Sequence, residues 1–288
     1  MLAGCGGGSK QVATTTTAPA PPTLSFSDPA TAPLAYRDRG VVLRTDGVTL
    51  HDAGFQSGGQ WIDAYVAEDG KKGKHPAVVL VAGGGGDRTQ LVGDAVALAK
   101  RGIVAITITP PSTSHPPAAP RSNRERVEQA KQVTVADVVA VRRAADAVSV
   151  LPNVDPQRLG YLGWSNGAKT GTYVAAKDGR FKALVLLSGG ADTLAQFVEA
   201  APKSLRPLVR SQLGLVDPLR YIAAVPAGRL LLEDGRSDEV VPQAALLNMI
   251  RAAPKGTPVH WYAAGHALDE QAYRAAFAWL ALKLGATR

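Results

Sequence analysis

The stretch Arg158-Leu159-Gly160-Tyr161-Leu162-Gly163-Trp164-Ser165-Asn166-Gly167-Ala168-Lys169-Thr170-Gly171-Thr172-Tyr173-Val174 decides the fold. Its first residues are those of a short buried strand, and its last are the small residues of a helix packed closely on its neighbours. Between them, Gly163-Trp164-Ser165-Asn166-Gly167 has GxSxG spacing. A serine set between strand and helix must occupy a strained turn, and the glycines two before and two after it let neighbouring backbone pass without a Cβ clash. Such a turn lifts the Ser165 hydroxyl above the sheet edge. It also aims the first N–H groups of the helix at any negative charge forming beside it. Those five residues alone occur often by chance; the strand before and the small-residue helix after make Ser165 a candidate nucleophile.

Working outward, the same alternation recurs. Ala77-Val78-Val79-Leu80-Val81-Ala82 and Ile103 to Ile108 are continuous apolar runs, expected as central strands covered on both faces. Phe181 to Leu187, Gly228 to Glu233 and Pro258 to Ala263 are further strands. Helical stripes run through Leu91, Ala95 and Leu98, through Val138, Val141, Ala145 and Val148, over Pro242 to Ala253 with proline at the first position, and through Tyr273, Phe277, Leu280 and Leu284. Strands alternating with helices imply an α/β fold with a mostly parallel, doubly wound sheet. Before it, Val48 onward and Trp61 to Val66, separated by glycines, read as an antiparallel N-terminal hairpin. Two segments lack a readable period: a proline-rich loop from Pro110 to about Arg126, and Ala191 to about Val225, expected as a small lid or wall of a pocket.

The chain has 288 residues and a formal charge of +8, with its basic residues scattered rather than clustered with aromatics. This argues for solvated surface and against a nucleic-acid partner. One cysteine, Cys5, excludes an intrachain disulfide and a thiolate metal cluster. Residues 1–35 read as a tail and 36–288 as one catalytic domain. Leu2-Ala3-Gly4-Cys5 resembles a bacterial lipobox, which would lipidate Cys5, although that pattern calls for a leader upstream of Met1. The Thr-, Pro- and Ala-rich residues that follow suit a tether. The expectation is therefore an extracellular or cell-envelope lipoprotein tethered to a membrane, with a cytoplasmic protein carrying a disordered tail as the alternative.

The Ala77 to Ala82 strand ends in Gly83-Gly84-Gly85-Gly86. Four glycines suit a close main-chain approach, and the run has neither P-loop nor dinucleotide-binding spacing. Beside a serine nucleophile this loop would supply one oxyanion-hole N–H, the other coming from Asn166. The serine needs a base, and the base an acceptor. His266 lies in the loop between the last strand and last helix, and Asp238 in Gly235-Arg236-Ser237-Asp238-Glu239-Val240-Val241, after an earlier strand. Asp234 and Glu233 are rivals for the acid. His51 and His75 precede the core, His115 sits among prolines, and His260 lies within a strand, its side chain expected to face a helix layer. Nothing calls for a cofactor or a metal.

From about Trp61 to Leu284 the chain resembles the α/β-hydrolase superfamily. Val154-Asp155-Pro156-Gln157-Arg158-Leu159-Gly160-Tyr161-Leu162-Gly163-Trp164-Ser165-Asn166-Gly167, with GRSDEVVP and AGHAL later, is similar to the dienelactone hydrolase-like and prolyl-oligopeptidase-like esterases. The resemblance implies a Ser165, Asp238, His266 triad that cleaves a small-molecule ester through an acyl-enzyme. It also implies an oxyanion hole from Asn166 and a residue of the glycine loop; Ala82-Gly83 stands where many relatives have His-Gly, which leaves Gly83 and Gly84 as the two candidates, with Gly84 favoured. Serine in place of the cysteine of true dienelactone hydrolases disfavours that one substrate. Acyl transfer to an alcohol by the same triad, or a non-catalytic surface binding protein on this fold, are the alternatives.

Overall fold

The apolar runs of the sequence form the middle of a nine-stranded sheet in the computed structural model, which describes residues 24–27 and 32–286. In chain order the elements are β1 (Arg37–Thr45), β2 (Val48–Ser57), β3 (Gln60–Glu68), β4 (His75–Val81), α1 (Val92–Ala99), β5 (Val104–Ile108), α2 (Pro111–Ser114), α3 (Asn123–Ser149), β6 (Val154–Trp164), α4 (Asn166–Lys177), β7 (Phe181–Leu187), α5 (Leu194–Ala200), α6 (Arg206–Leu213), α7 (Pro218–Ile222), β8 (Leu230–Gly235), α8 (Gln243–Ala252), β9 (Val259–Tyr262) and α9 (Glu270–Leu284). The strand order is β1-β2-β3-β5-β4-β6-β7-β8-β9. Pairing is antiparallel from β1 to β5 across that order and parallel from there to β9. This is the α/β-hydrolase architecture.

Period-two alternation divides the core. Val79 and Val81 point to a layer that includes α3, α4 and α7, whereas Val78, Leu80 and Ala82 point to α1 and α9. Both faces of β4 are thus buried, which is why its sequence is continuously apolar. The chain leaves β4 for β5 on one side and returns to β6 on the other. The crevice at the carboxyl ends of β4 and β6 is therefore a switch point, where ligands bind in open α/β sheets.

Three expectations change. The N-terminal hairpin is a three-stranded antiparallel unit: β1 adds to β2, with register shifts between Asp38 and Gly40 and between Val41 and Leu43. Those bulges break the alternation that would have marked a strand. The loop expected to reach Arg126 ends at Ser122, whose hydroxyl accepts from Glu125 N–H at 3.1 Å and caps α3. The third change concerns the stretch expected as a tail. Phe26 is 2% exposed, its ring centroid 5.7 Å from that of Tyr173 and 5.6 Å from that of Tyr221. The Arg142 guanidinium donates to the Phe26 carbonyl and to Ser27 Oγ. The ring, these hydrogen bonds and Leu24 against the core hold the segment, so residues 24–27 belong to the packed body. Cys5 lies outside the described residues. Among the described residues, no helix is long and apolar enough to cross a membrane.

Candidate active site

Ser165 follows β6 and precedes α4 with φ 57° and ψ −113°, a backbone conformation strained for a side chain with a Cβ. The surroundings over-determine it. Ser165 N–H donates to Leu187 O at 2.8 Å. A Cβ on Gly163 would strike the Gly167 carbonyl oxygen, and one on Gly167 would strike the Val81 carbonyl oxygen. The two glycines let β4, β6 and α4 approach closely enough to hold the turn.

The structure brings Ser165, His266 and Asp238 together. His266 Nε2 is 2.9 Å from Ser165 Oγ, and His266 Nδ1 is 2.8 Å from Asp238 Oδ2. An ionised carboxylate can only accept, so Nδ1 carries the proton and Nε2 is free to take one from the serine. The Asp238 side chain is 1% exposed, and its Oδ1 accepts from Val240 N–H at 2.9 Å and Val241 N–H at 2.8 Å. Those main-chain donors hold the carboxylate toward the imidazole. Pro242 is the residue before α8 rather than its first, so Asp238 lies four positions ahead of the cap and serves this loop instead.

The rival acids sit elsewhere. Glu233 is wholly buried, accepts from Tyr262 Oη–H at 3.0 Å and lies 3.2 Å from His260 Nδ1. His260, expected against a helix layer, has a half-exposed side chain beside this glutamate. Asp234 is 2% exposed; burial, with Asp238 and Glu233 nearby, raises its pKa to about 7. His51 pairs with Asp38, His75 with the Gly102 and Lys71 carbonyls, and His115 with Ser114 Oγ. All four histidines are accounted for away from Ser165.

Three further side chains hold the His266 main chain. Trp164 Nε1–H and Ser188 Oγ–H donate to the His266 carbonyl at 2.9 and 2.8 Å, and Glu239 Oε2 accepts from His266 N–H at 3.4 Å. The Trp164 ring also stacks obliquely on the imidazole, centroids 5.1 Å apart. Sequence reading missed these residues, because they act through backbone atoms of a residue far along the chain. The one cue was position, since Trp164 and Ser188 stand where parallel strands β6 and β7 end.

The glycine run forms a tight turn closed by Gly86 N–H to Gly83 O at 3.0 Å, with Gly85 at φ 75°. Gly83 lies against Trp164 and Ser165, and a Cβ built on Gly84 would come 4.0 Å from Asn166 Cβ. Asn166 N–H is the first of α4 and has no acceptor within its own helix. The glycine turn thus lies alongside Ser165 and Asn166. Next to Asn166 opens a cavity of about 410 Å³, walled by α3, by one face of α4 and by the segment from α5 to α7. Lys169, one turn into α4, lines it; burial lowers its pKa, and Asp192 at the exposed rim opposes that. Among the described residues, no group of three or more His, Cys, Asp or Glu side chains could hold a metal ion.

The sequence pattern of the prolyl oligopeptidase family matches residues 95–285. A polyketide transferase of Stachybotrys chlorohalonatus is 28% identical over 205 residues, 67% of this chain; the match spans 64% of that protein's length. Acetyl xylan esterase 1 from Thermoanaerobacterium sp. JW/SL YS485 superposes with a TM-score of 0.71 at 16% identity, covering 88% of this chain and 89% of that one. A dienelactone hydrolase-like protein from Klebsiella pneumoniae subsp. pneumoniae gives a TM-score of 0.61 at 18% identity, covering 84% of this chain and 100% of its own.

Proposed function

Because this chain belongs to the prolyl oligopeptidase family, we propose that it is a serine hydrolase that cleaves carboxylic esters through an acyl-enzyme. The observation that carries this is the hydrogen-bonded relay from Asp238 through His266 to Ser165 Oγ. Ser165 Oγ attacks the ester carbonyl carbon while His266 Nε2 takes its proton. Asp238 keeps Nδ1–H pointed at itself and stabilises the imidazolium. The carbonyl π electrons move onto oxygen, which receives hydrogen bonds from the N–H groups of Asn166 and Gly84. Collapse of this intermediate breaks the carbon–oxygen ester bond, and the alkoxide leaves with the proton from Nε2. Water then repeats the sequence, its proton going to Nε2 and the acid leaving as Ser165 is regenerated.

A fluorophosphonate tests the assignment: it should label Ser165 alone, and a modified residue elsewhere would overturn it. Short p-nitrophenyl esters should be hydrolysed by the wild type and not by Ser165→Ala. Equal rates for the two would favour a binding protein. The likeness to a polyketide transferase favours one second reading, acyl transfer to an alcohol by the same relay. It predicts that added alcohol diverts the acyl group from water to a new ester, read by mass spectrometry. Tethering through Cys5 is a separate proposal, tested by incorporation of labelled fatty acid into the protein expressed in a bacterial host and its loss in Cys5→Ala.

A further inference from the structure

The cavity beside Asn166 is larger than an acetyl group fills, and at about 410 Å³ it falls in the range of dedicated small-molecule sites. Its body is apolar: Val133 of α3, Leu194 and Phe197 of α5, Leu213 of α6 and Val216 form walls and roof. The wall on the α4 side is firmly backed. Tyr173 Oη–H donates to Val216 O at 2.8 Å, and the Tyr173 ring packs on Tyr221 and Phe26. An apolar space with walls this well fixed is pre-formed for a guest.

The polar groups facing that space have a consistent sense. Thr134 and Thr170 line it, but their hydroxyl hydrogens are engaged by the Ala130 and Asn166 carbonyls at 2.9 and 3.1 Å. Tyr173 has given its own hydrogen to Val216. Asp137 is 3% exposed, lines the cavity and accepts from Ser112, whose N–H reaches it at 2.9 Å and whose side chain also bonds to it. A carboxylate has acceptor capacity beyond these bonds, and Asp137 offers it to the cavity it lines. Burial, partly offset by hydrogen bonds from Ser112, raises the pKa of this acid, and a donor or cation arriving from the cavity would favour its charged form. Lys169, the one cationic donor lining the cavity, has Asp192 of the exposed rim as its counter-charge. Away from that pair and from the Asn166 side-chain amide at the mouth, the hydroxyl donors are already committed and the Asp137 carboxyl is the buried acceptor.

Resting on the ester-hydrolase reading, we propose that the substrate's acyl group is bulky and largely apolar and carries a hydrogen-bond donor, a hydroxyl or an ammonium, that Asp137 receives. The cavity begins at Asn166, next to the hydroxyl that would hold the acyl carbon, so the guest is the acyl side of the ester. Leaving such a donor out strands a buried carboxylate without its partner, and this is where discrimination arises.

The test is a panel of p-nitrophenyl esters on the full chain: acetate, phenylacetate, para-methylphenylacetate, para-hydroxyphenylacetate and para-(aminomethyl)phenylacetate. The wild-type kcat/KM should favour phenylacetate over acetate by about tenfold or more. It should favour at least one of the two donor-bearing esters over the para-methyl ester by about tenfold, and the better of the two says whether hydroxyl or ammonium is the natural group. Asp137→Asn keeps an acceptor for Ser112 N–H and turns an amide donor to the cavity, so it should abolish that preference, read as the ratio of the two kcat/KM values within the variant. Acetate hydrolysed as well as the aryl esters would overturn the proposal and leave ester hydrolysis standing. So would a wild type that favours the para-methyl ester, a result needing no variant to fold. A preference that survives in Asp137→Asn would overturn the role of Asp137. No turnover of any ester would remove the ester-hydrolase reading and this inference with it.

Discussion

The carboxyl edge of β6, β8 and β9 and the antiparallel edge made by β1 to β3 hold their charged side chains in opposite ways. At the first, Asp238 is buried and fixed by two main-chain N–H groups and one imidazole. At the second, Arg39 reaches Asp52 and Asp63 at 2.6 and 2.7 Å with a third of its side chain in solvent, and Arg88 shares Asp52. The first arrangement fixes its carboxylate with main chain, and the side chains that steady His266, those of Trp164, Ser188 and Glu239, act on its main-chain atoms. The second orders flexible side chains against each other in water, where screening and entropy cancel most of the gain. The candidate site thus lies where main chain holds the acid, and the exposed network is replaceable.

Mutation can break this contrast at several points. Asp238→Asn should lower kcat by about a thousandfold or more, because a neutral amide cannot hold the imidazole tautomer. Asp234→Asn, buried just upstream, should stay within about tenfold of wild type. Equal losses in steady-state kinetics would mean the two acids share the role. Trp164→Phe and Ser188→Ala each remove one donor from the His266 carbonyl and should lower kcat about ten- to a hundredfold with KM little changed. A change confined to KM would show that they shape the pocket instead.

A smaller effect concerns pH. The Asp234 pKa rises from the ordinary 3.8 to about 7 on folding, so the native state holds a proton that the unfolded chain has already released. The folded state is therefore favoured at the acid end, and that advantage falls as pH climbs from about 4 to about 7. In Asp234→Asn the decline should flatten, raising Tm at pH 8 relative to wild type by about 2 °C or more. Calorimetry showing parallel Tm profiles would contradict it. Smallest of all, Arg39→Ala should cost less than about 1 kcal/mol in chemical denaturation and leave kcat unchanged. A loss several times larger would erase the distinction between the two edges.

The same distinction explains what could be read from the sequence. Ser165, Asp238 and His266 stand at strand ends, next to glycines whose spacing reports main-chain demands, and main-chain demands leave local marks. The central strands were visible because burial on both faces forbids polar residues. β1 was not, since both its flanks are exposed and its bulges scramble the alternation. The first turns of α3 were obscured because Asn123 to Ala136 is mostly polar, and the Ser122 to Glu125 cap was the clue available. Phe26 is one ring among threonines and prolines, and its partners Tyr173 and Tyr221 lie far along the chain. Contacts of that kind write no periodicity.

Phe26 also has a mechanical consequence. Its ring and the Arg142 clamp on its carbonyl make, among the described residues, the first fixed point for a force arriving from the N-terminal side. A pull there loads the Tyr173 and Tyr221 rings before it reaches any strand, and Tyr173 is a wall of the acyl cavity. Tension on the upstream segment would therefore be felt first as a change in pocket shape, with the sheet and its relay still intact.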